Sequence, residues 1–145
     1  MPAALPRVPF RDILQIQKRE RLPMNQAFAE EFIARFTKTA IEGDHAAHMA
    51  MISTKVMLRG VPGFDVIGYD DWSQQCAHEF EERLIRSIAY EDLDVKMAND
   101  TLVCFEIHET IEARDGTVNR NWLEIFLERE ADDEWRIVQE RILPE

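Results

Sequence analysis

Apolar residues recur along this chain with two different periods. The run NQAFAEEFIARFTKTAIEGD, beginning at Asn25, sets Phe28, Phe32, Ile33, Phe36 and Ala40 three and four residues apart, one stripe of a helix. Gly43 supplies the stop, because glycine takes the left-handed conformation at little cost. Asp44 follows as a cap whose carboxylate accepts from the free amides of a second, shorter helix, HAAHMAMI. KVMLR then reads as a short strand over Lys55–Arg59, and GVPGFDVIG as a loop turning at Pro62 and Gly63. DDWSQQCAHEFEE is a third helix, with acids in the first turn where the helix dipole favours them. Beyond Leu84 the period becomes two, over Leu84–Met97, TLVCFEIHETIEA, TVNRNWLEIFLERE and EWRIVQERIL, with turns at Asn99–Asp100, Arg114–Gly116 and Ala131–Asp133. Helices first and a meander afterwards predict an α+β domain, three N-terminal helices on an antiparallel sheet, over residues 23–145. Residues 1–22 read as an N-terminal arm, with prolines at 2, 6 and 9 and a thin-faced short helix, RDILQIQKRERL.

The Arg114-Asp115-Gly116 loop fixes a register. With three residues in the turn, Ala113 faces Thr117, and Val103, Phe105 and Ile107 fall opposite Leu127, Ile125 and Leu123. The other face then carries Cys104, Glu106, His108 and Thr110 beside Phe126, Glu124, Trp122 and Arg120. A two-residue loop would set Ile107 against Glu124 and forfeit apolar cross-strand pairs worth about 0.2–1 kcal/mol each. A four-residue loop on the last hairpin brings Trp135, Ile137, Gln139 and Arg141 onto the face of Glu124, with Arg141 opposite it. Both faces are partly apolar and three helices cover only one, so a second subunit on the other face, a homodimer, is expected.

Composition narrows the partners. The 145 residues hold 17 basic and 28 acidic side chains, net −11, and that field repels phosphate backbones and anionic lipid. Nucleic acid is not expected, and no apolar run approaches a membrane span. Cys76 and Cys104 lie far apart without metal-ligand spacing and read as reduced thiols of a cytoplasmic protein. His45, His48 and His78 offer no evident carboxylate third ligand, so no metal and no cofactor is expected.

The helix AFAEEFIARFTKTAIEGD, the helix start GYDDW and the tryptophan-led closing strand WRIVQERI together resemble the nuclear transport factor 2-like superfamily, over roughly residues 24–143. That superfamily includes ketosteroid isomerase and SnoaL-like polyketide cyclases. The resemblance implies a cone-shaped fold, a curved sheet wrapped around the helices with a deep apolar pocket between, and often a dimer across the sheet's outer face. It also implies that an acid on the strand matching Asn121–Glu130 points into the pocket, which places Glu124 there and assigns the Leu123, Ile125, Leu127 face to the dimer contact. The isomerase base would fall near Met57–Arg59, where no carboxylate stands; Asp65 is the nearest acid.

These readings converge on a small-molecule pocket protein, a cofactor-independent isomerase, cyclase or dehydratase using acid–base chemistry on a hydrophobic carbonyl compound. Glu124, desolvated by an apolar pocket, would be the main acid and His108 its assistant, since one group must remove a proton while another supports the oxyanion. Phe28, Phe32, Trp72, Trp122, Gln139 and Arg141 would line the site for a small apolar ligand. The alternative is a non-catalytic ligand-binding or dimerisation module.

Overall fold

The structure, a computed structural model, describes the backbone of residues 10–144 and the side chains of residues 25–144. Three helices, α1 (Phe10–Glu42), α2 (His45–Ala50) and α3 (Tyr69–Glu81), accompany five strands, β1 (Ile52–Arg59), β2 (Ile85–Ala98), β3 (Leu102–Ala113), β4 (Val118–Arg129) and β5 (Trp135–Leu143). Residues 1–9 of the expected arm lie outside the described residues; from Phe10 the backbone is already helical and continues through Pro23 without a break.

The corner between α1 and α2 forms as its residues dictate. Gly43 takes φ +66°, which lets its amide donate to the Ala40 carbonyl at 3.1 Å and the next amide donate to Thr39 at 2.9 Å. The Asp44 carboxylate then accepts from the Ala47 amide at 3.1 Å, closing the N-terminus of α2.

The sheet order is β1-β5-β4-β3-β2. All neighbours are antiparallel except β1 and β5, which run parallel, so the sheet is mixed and not purely antiparallel as expected. The chain reaches β5 only after crossing through α3 and the meander, and a long crossover is what a parallel pair requires. On the β3–β4 hairpin the three-residue register holds: Ala113 donates to the Thr117 carbonyl at 2.8 Å, and Phe105 pairs with Ile125 and Ile107 with Leu123.

Val103, Phe105, Ile107, Leu123, Ile125, Leu127 and Ile137 are each at most 2% exposed and meet Phe32, Ile33 and Phe36 of α1. Full burial of such side chains is worth about 1.5–3 kcal/mol apiece, which makes this the face the helices must cover. Bulges then curve the long outer strand. The β2–β3 register shifts three times, and at the shift after Glu91 the residue Asp92 adopts φ +57°. There Gln26 of α1 donates to the Leu93 carbonyl at 2.6 Å, tying the helix to the bend.

Candidate functional site

The expected assignment of the two sheet faces is inverted. Glu124 pairs with Arg141 across β4 and β5 as anticipated, but on the face turned away from the helices, where the two side chains form an ion pair at 3.3 Å. Glu106, Cys104, Phe126, Trp122 and His108 share that outer face. His108 packs on Trp122 with ring centroids 4.0 Å apart, its Nδ1 3.4 Å from Asp92, and its side chain is 54% exposed. The reason is energetic: the face of Val103, Phe105, Ile107, Leu123, Ile125 and Leu127 gains most from the helices, whereas Glu106 and Glu124 stand directly opposed on the other face.

The six expected lining residues separate accordingly. Trp72 lines the hollow inside the cone. Phe32 is 1% exposed and belongs to the core, and Phe28 packs edge-on against Trp135 at 5.0 Å. Trp122, Gln139 and Arg141 lie on the outer face with Glu124. Ile137, expected beside Gln139, is instead fully buried on the helix side.

The last strand explains how both can be true. Leu127 pairs with Ile137 and Phe126 with Gln139, so Val138 is an extra residue, a bulge that reverses the alternation. Beyond it Glu140 pairs with Ile125 and Ile142 with Leu123, both on the helix side. A charged side chain is thereby turned inward, and Glu140 is 8% exposed.

Glu140 borders a half-open cavity of about 100 Å³ between the helices and the sheet. Its walls are aromatic (Phe36, Trp72, Phe80, Tyr90), with Glu79 from α3, Glu109 from β3 and His48 from α2 as the ionisable neighbours. The Tyr90 hydroxyl donates to Glu109 at 2.8 Å. Among the described residues no group hydrogen-bonds the Glu140 carboxyl, and no buried side-chain oxygen or nitrogen sealed from solvent lacks a partner, so that carboxyl reaches the open space of the hollow.

Burial sets the protonation states. Desolvation, reinforced by the charge of Glu109, pushes Glu140 up to about 8. Glu109 is raised too, chiefly by burial, with the Tyr90 and Asn121 side chains opposing. The Tyr90 phenol is held well above its ordinary value by burial and by Glu109, and the Cys76 thiol is raised to about 12 by burial, so it stays protonated. His48 moves the other way, down to about 4, because burial disfavours the imidazolium. Its Nδ1 lies 2.8 Å from the Thr39 hydroxyl. That hydroxyl donates its hydrogen to the Phe36 carbonyl, so the network assigns the imidazole proton to Nδ1 and leaves Nε2 an acceptor.

His45 does not join His48 in a ligand pair; its Nε2 meets the Ser73 carbonyl at 2.9 Å. Among the described residues no group of three potential ligands is placed to hold a metal ion, and no helix is long and apolar enough to cross a membrane.

Both inward carboxyls left a trace in the sequence. Glu109 continues the apolar alternation Val103, Phe105, Ile107 and is followed by Ile111, an acid in the buried register. Ile137 and Ile142 stand an odd number of residues apart, so they share a face only if a bulge intervenes, and Glu140 then turns inward with Ile142.

The likeness to solved structures follows this architecture. An NTF2-like protein with a cystatin-like fold from Novosphingobium aromaticivorans superposes with a TM-score of 0.66 at 17% identity, covering 92% of this chain and 90% of its own. A protein of the same organism, provisionally described as a scytalone dehydratase, gives 0.65 at 10% identity over 87% and 86%. A Catenulispora acidiphila protein solved in complex with S-DNPA gives 0.63 at 22% identity over 80% and 91%. Identities this low establish the fold alone. No curated protein matches the sequence significantly. The family model of the SnoaL-like domain matches residues 29–142, from the first buried turn of α1 to the inward Ile142 of β5, and the chain belongs to that family.

Proposed function

We propose that this protein is a small-molecule pocket protein that transfers protons inside the cone, with Glu140 as the acid–base group in place of Glu124 and His108. The observation that carries the reading is the Glu140 carboxyl itself, buried, facing a hollow, free of any partner among the described residues, and raised to about 8. A carboxyl poised near the working pH can both take a proton from carbon and return it, the requirement of isomerase, cyclase or dehydratase chemistry without a cofactor. Glu109 shares the local charge, and Tyr90 holds Glu109 in place through its hydroxyl. Space limits the substrate. Drug-sized ligands occupy about 300–1,000 Å³, whereas this cavity offers about 100 Å³, so the reacting part of the molecule is compact.

The test is hydrogen–deuterium exchange at carbon, followed by proton NMR in heavy water over a panel of compact carbonyl compounds. General acid–base catalysis predicts enhancement on at least one of them and a loss of about 10²–10⁴-fold in Glu140→Gln. A panel exchanging at the buffer rate, or an undiminished variant, favours the second reading, a non-catalytic binding module.

The outer sheet face is proposed as the contact with a second copy. Met97, Phe126 and Met57 lie along one row across it, and Met97 and Met57 are 45% and 38% exposed. In the next row Asp94, Glu106 and Glu124 occupy one half and Arg141 and Arg59 the other. A two-fold axis through such a row sets acids against arginines in both directions. The free thiols Cys76 and Cys104 support a reducing, cytoplasmic setting.

A further inference from the structure

We propose that the cavity recognises a compact organic ammonium group, so that the substrate of the proposed proton transfer carries a positive charge. The inference rests on the cavity being the functional site and concerns the chemistry of its occupant. Glu79, Glu109 and Glu140 border the hollow, while no lysine or arginine among the described residues does. The one nitrogen base among its described walls, His48, is held neutral by burial and brings no positive charge.

A ground-state anion such as a carboxylate would meet the acids there with no cationic partner among the described walls, a costly arrangement in a desolvated space. A cation meets the reverse. The ring faces of aromatic walls such as Phe36, Phe80, Trp72 and Tyr90 carry the negative part of the quadrupole, and the unpartnered Glu140 supplies a counter-charge once it releases its proton. The size agrees: liquid water takes about 30 Å³ per molecule, so the hollow holds about three waters' volume, and an engineered cavity of about 150 Å³ admits benzene. A methylated or branched ammonium head is therefore about as much as fits.

The approach has the same sign. A surface hollow of about 450 Å³ shares Ala40, Glu79, Phe80 and Ile85 with the inner cavity, and its other described walls include Glu42 and Glu81 against a single cation, Arg83. The body of a larger molecule has room there while its head enters. The raised Glu140 carboxyl makes uptake pH-dependent. The groups facing Glu140 from the packed elements are Glu109, Tyr90, Glu79, His48 and Cys76. Of these, Tyr90 and Cys76 stay neutral and His48 is uncharged above about pH 5. Binding a cation therefore favours release of the Glu140 proton, and affinity rises with pH through neutrality.

The experiment compares tert-butylammonium with tert-butanol, of equal size and shape, by NMR titration of the Trp72 indole N–H in the full chain at about pH 6 and about pH 9. The ammonium is expected to bind about tenfold or more tightly than the alcohol, and more tightly at the higher pH, with Glu140→Gln reducing its affinity by about tenfold. Equal binding of alcohol and ammonium to the wild-type protein, or affinity independent of pH, overturns the inference whether or not the variant folds. That failure leaves the exchange assay untouched, just as absent exchange with intact ammonium selectivity sinks only the catalytic reading.

Discussion

Replacing Glu140 with glutamine should make this protein more stable in alkali and no more stable in mild acid. The carboxyl titrates at about 8 in the fold against 4.5 in the open chain. Between those values the folded state holds a proton that the unfolded state has lost, so stability falls as pH rises through that window. At about 1.4 kcal/mol per unit, the full penalty above pH 8 is roughly 5 kcal/mol. Glutamine carries no charge to desolvate, but its unpartnered amide costs about 1–3 kcal/mol in a buried site. The net expectation is a gain of about 2–4 kcal/mol at about pH 9 and a loss of up to about 2 kcal/mol at about pH 5. For a chain of this length that is a rise in Tm of about 5–10 °C at the higher pH only. Thermal unfolding followed by circular dichroism at both pH values measures it. The same shift in Tm at both would refute a buried, proton-holding carboxyl.

His48 predicts the opposite limb. Its folded value of about 4 lies below 6.5, so its contribution is full above pH 6.5 and is lost as pH falls toward 4; His48→Gln should flatten the acid side of the stability profile by up to roughly 3 kcal/mol, read by urea unfolding. Glu124→Gln should cost no more than about 1 kcal/mol and leave ligand binding in the cone unchanged, because the half-exposed Arg141 is its partner on the far face. Gly60 sits at φ +89° where a methyl would overlap the Ile142 carbonyl oxygen; Gly60→Ala should lower stability by about 2 kcal/mol or more and disturb the end of β5, seen as faster amide exchange at Ile142.

Period and turn chemistry made most of the architecture readable. The α1 stripe, the Gly43–Asp44 corner and the Arg114–Gly116 loop are local devices whose residues admit few conformations, and each formed as read. The partition of the sheet into two sets of side chains was equally legible, since alternation is a local property. Which set faced the helices was not, because the likeness to the isomerases points one way and the hydrophobicity of Phe105, Ile125 and Leu127 the other. Glu140 was hidden by one extra residue at Val138, a non-local event in which pairing with β4 overrides the alternation of β5. The parallel pairing of β1 with β5 had no local signature.

The central claim is that the working carboxyl lies on the helix side of the sheet and holds its proton near neutrality. Carbon-detected NMR titration of the glutamate side-chain carboxyls tests it directly. One resonance should titrate near pH 8 and vanish in Glu140→Gln. Glutamates that all titrate near their ordinary value of about 4.3, with the variant removing an unremarkable member of the set, would contradict the account.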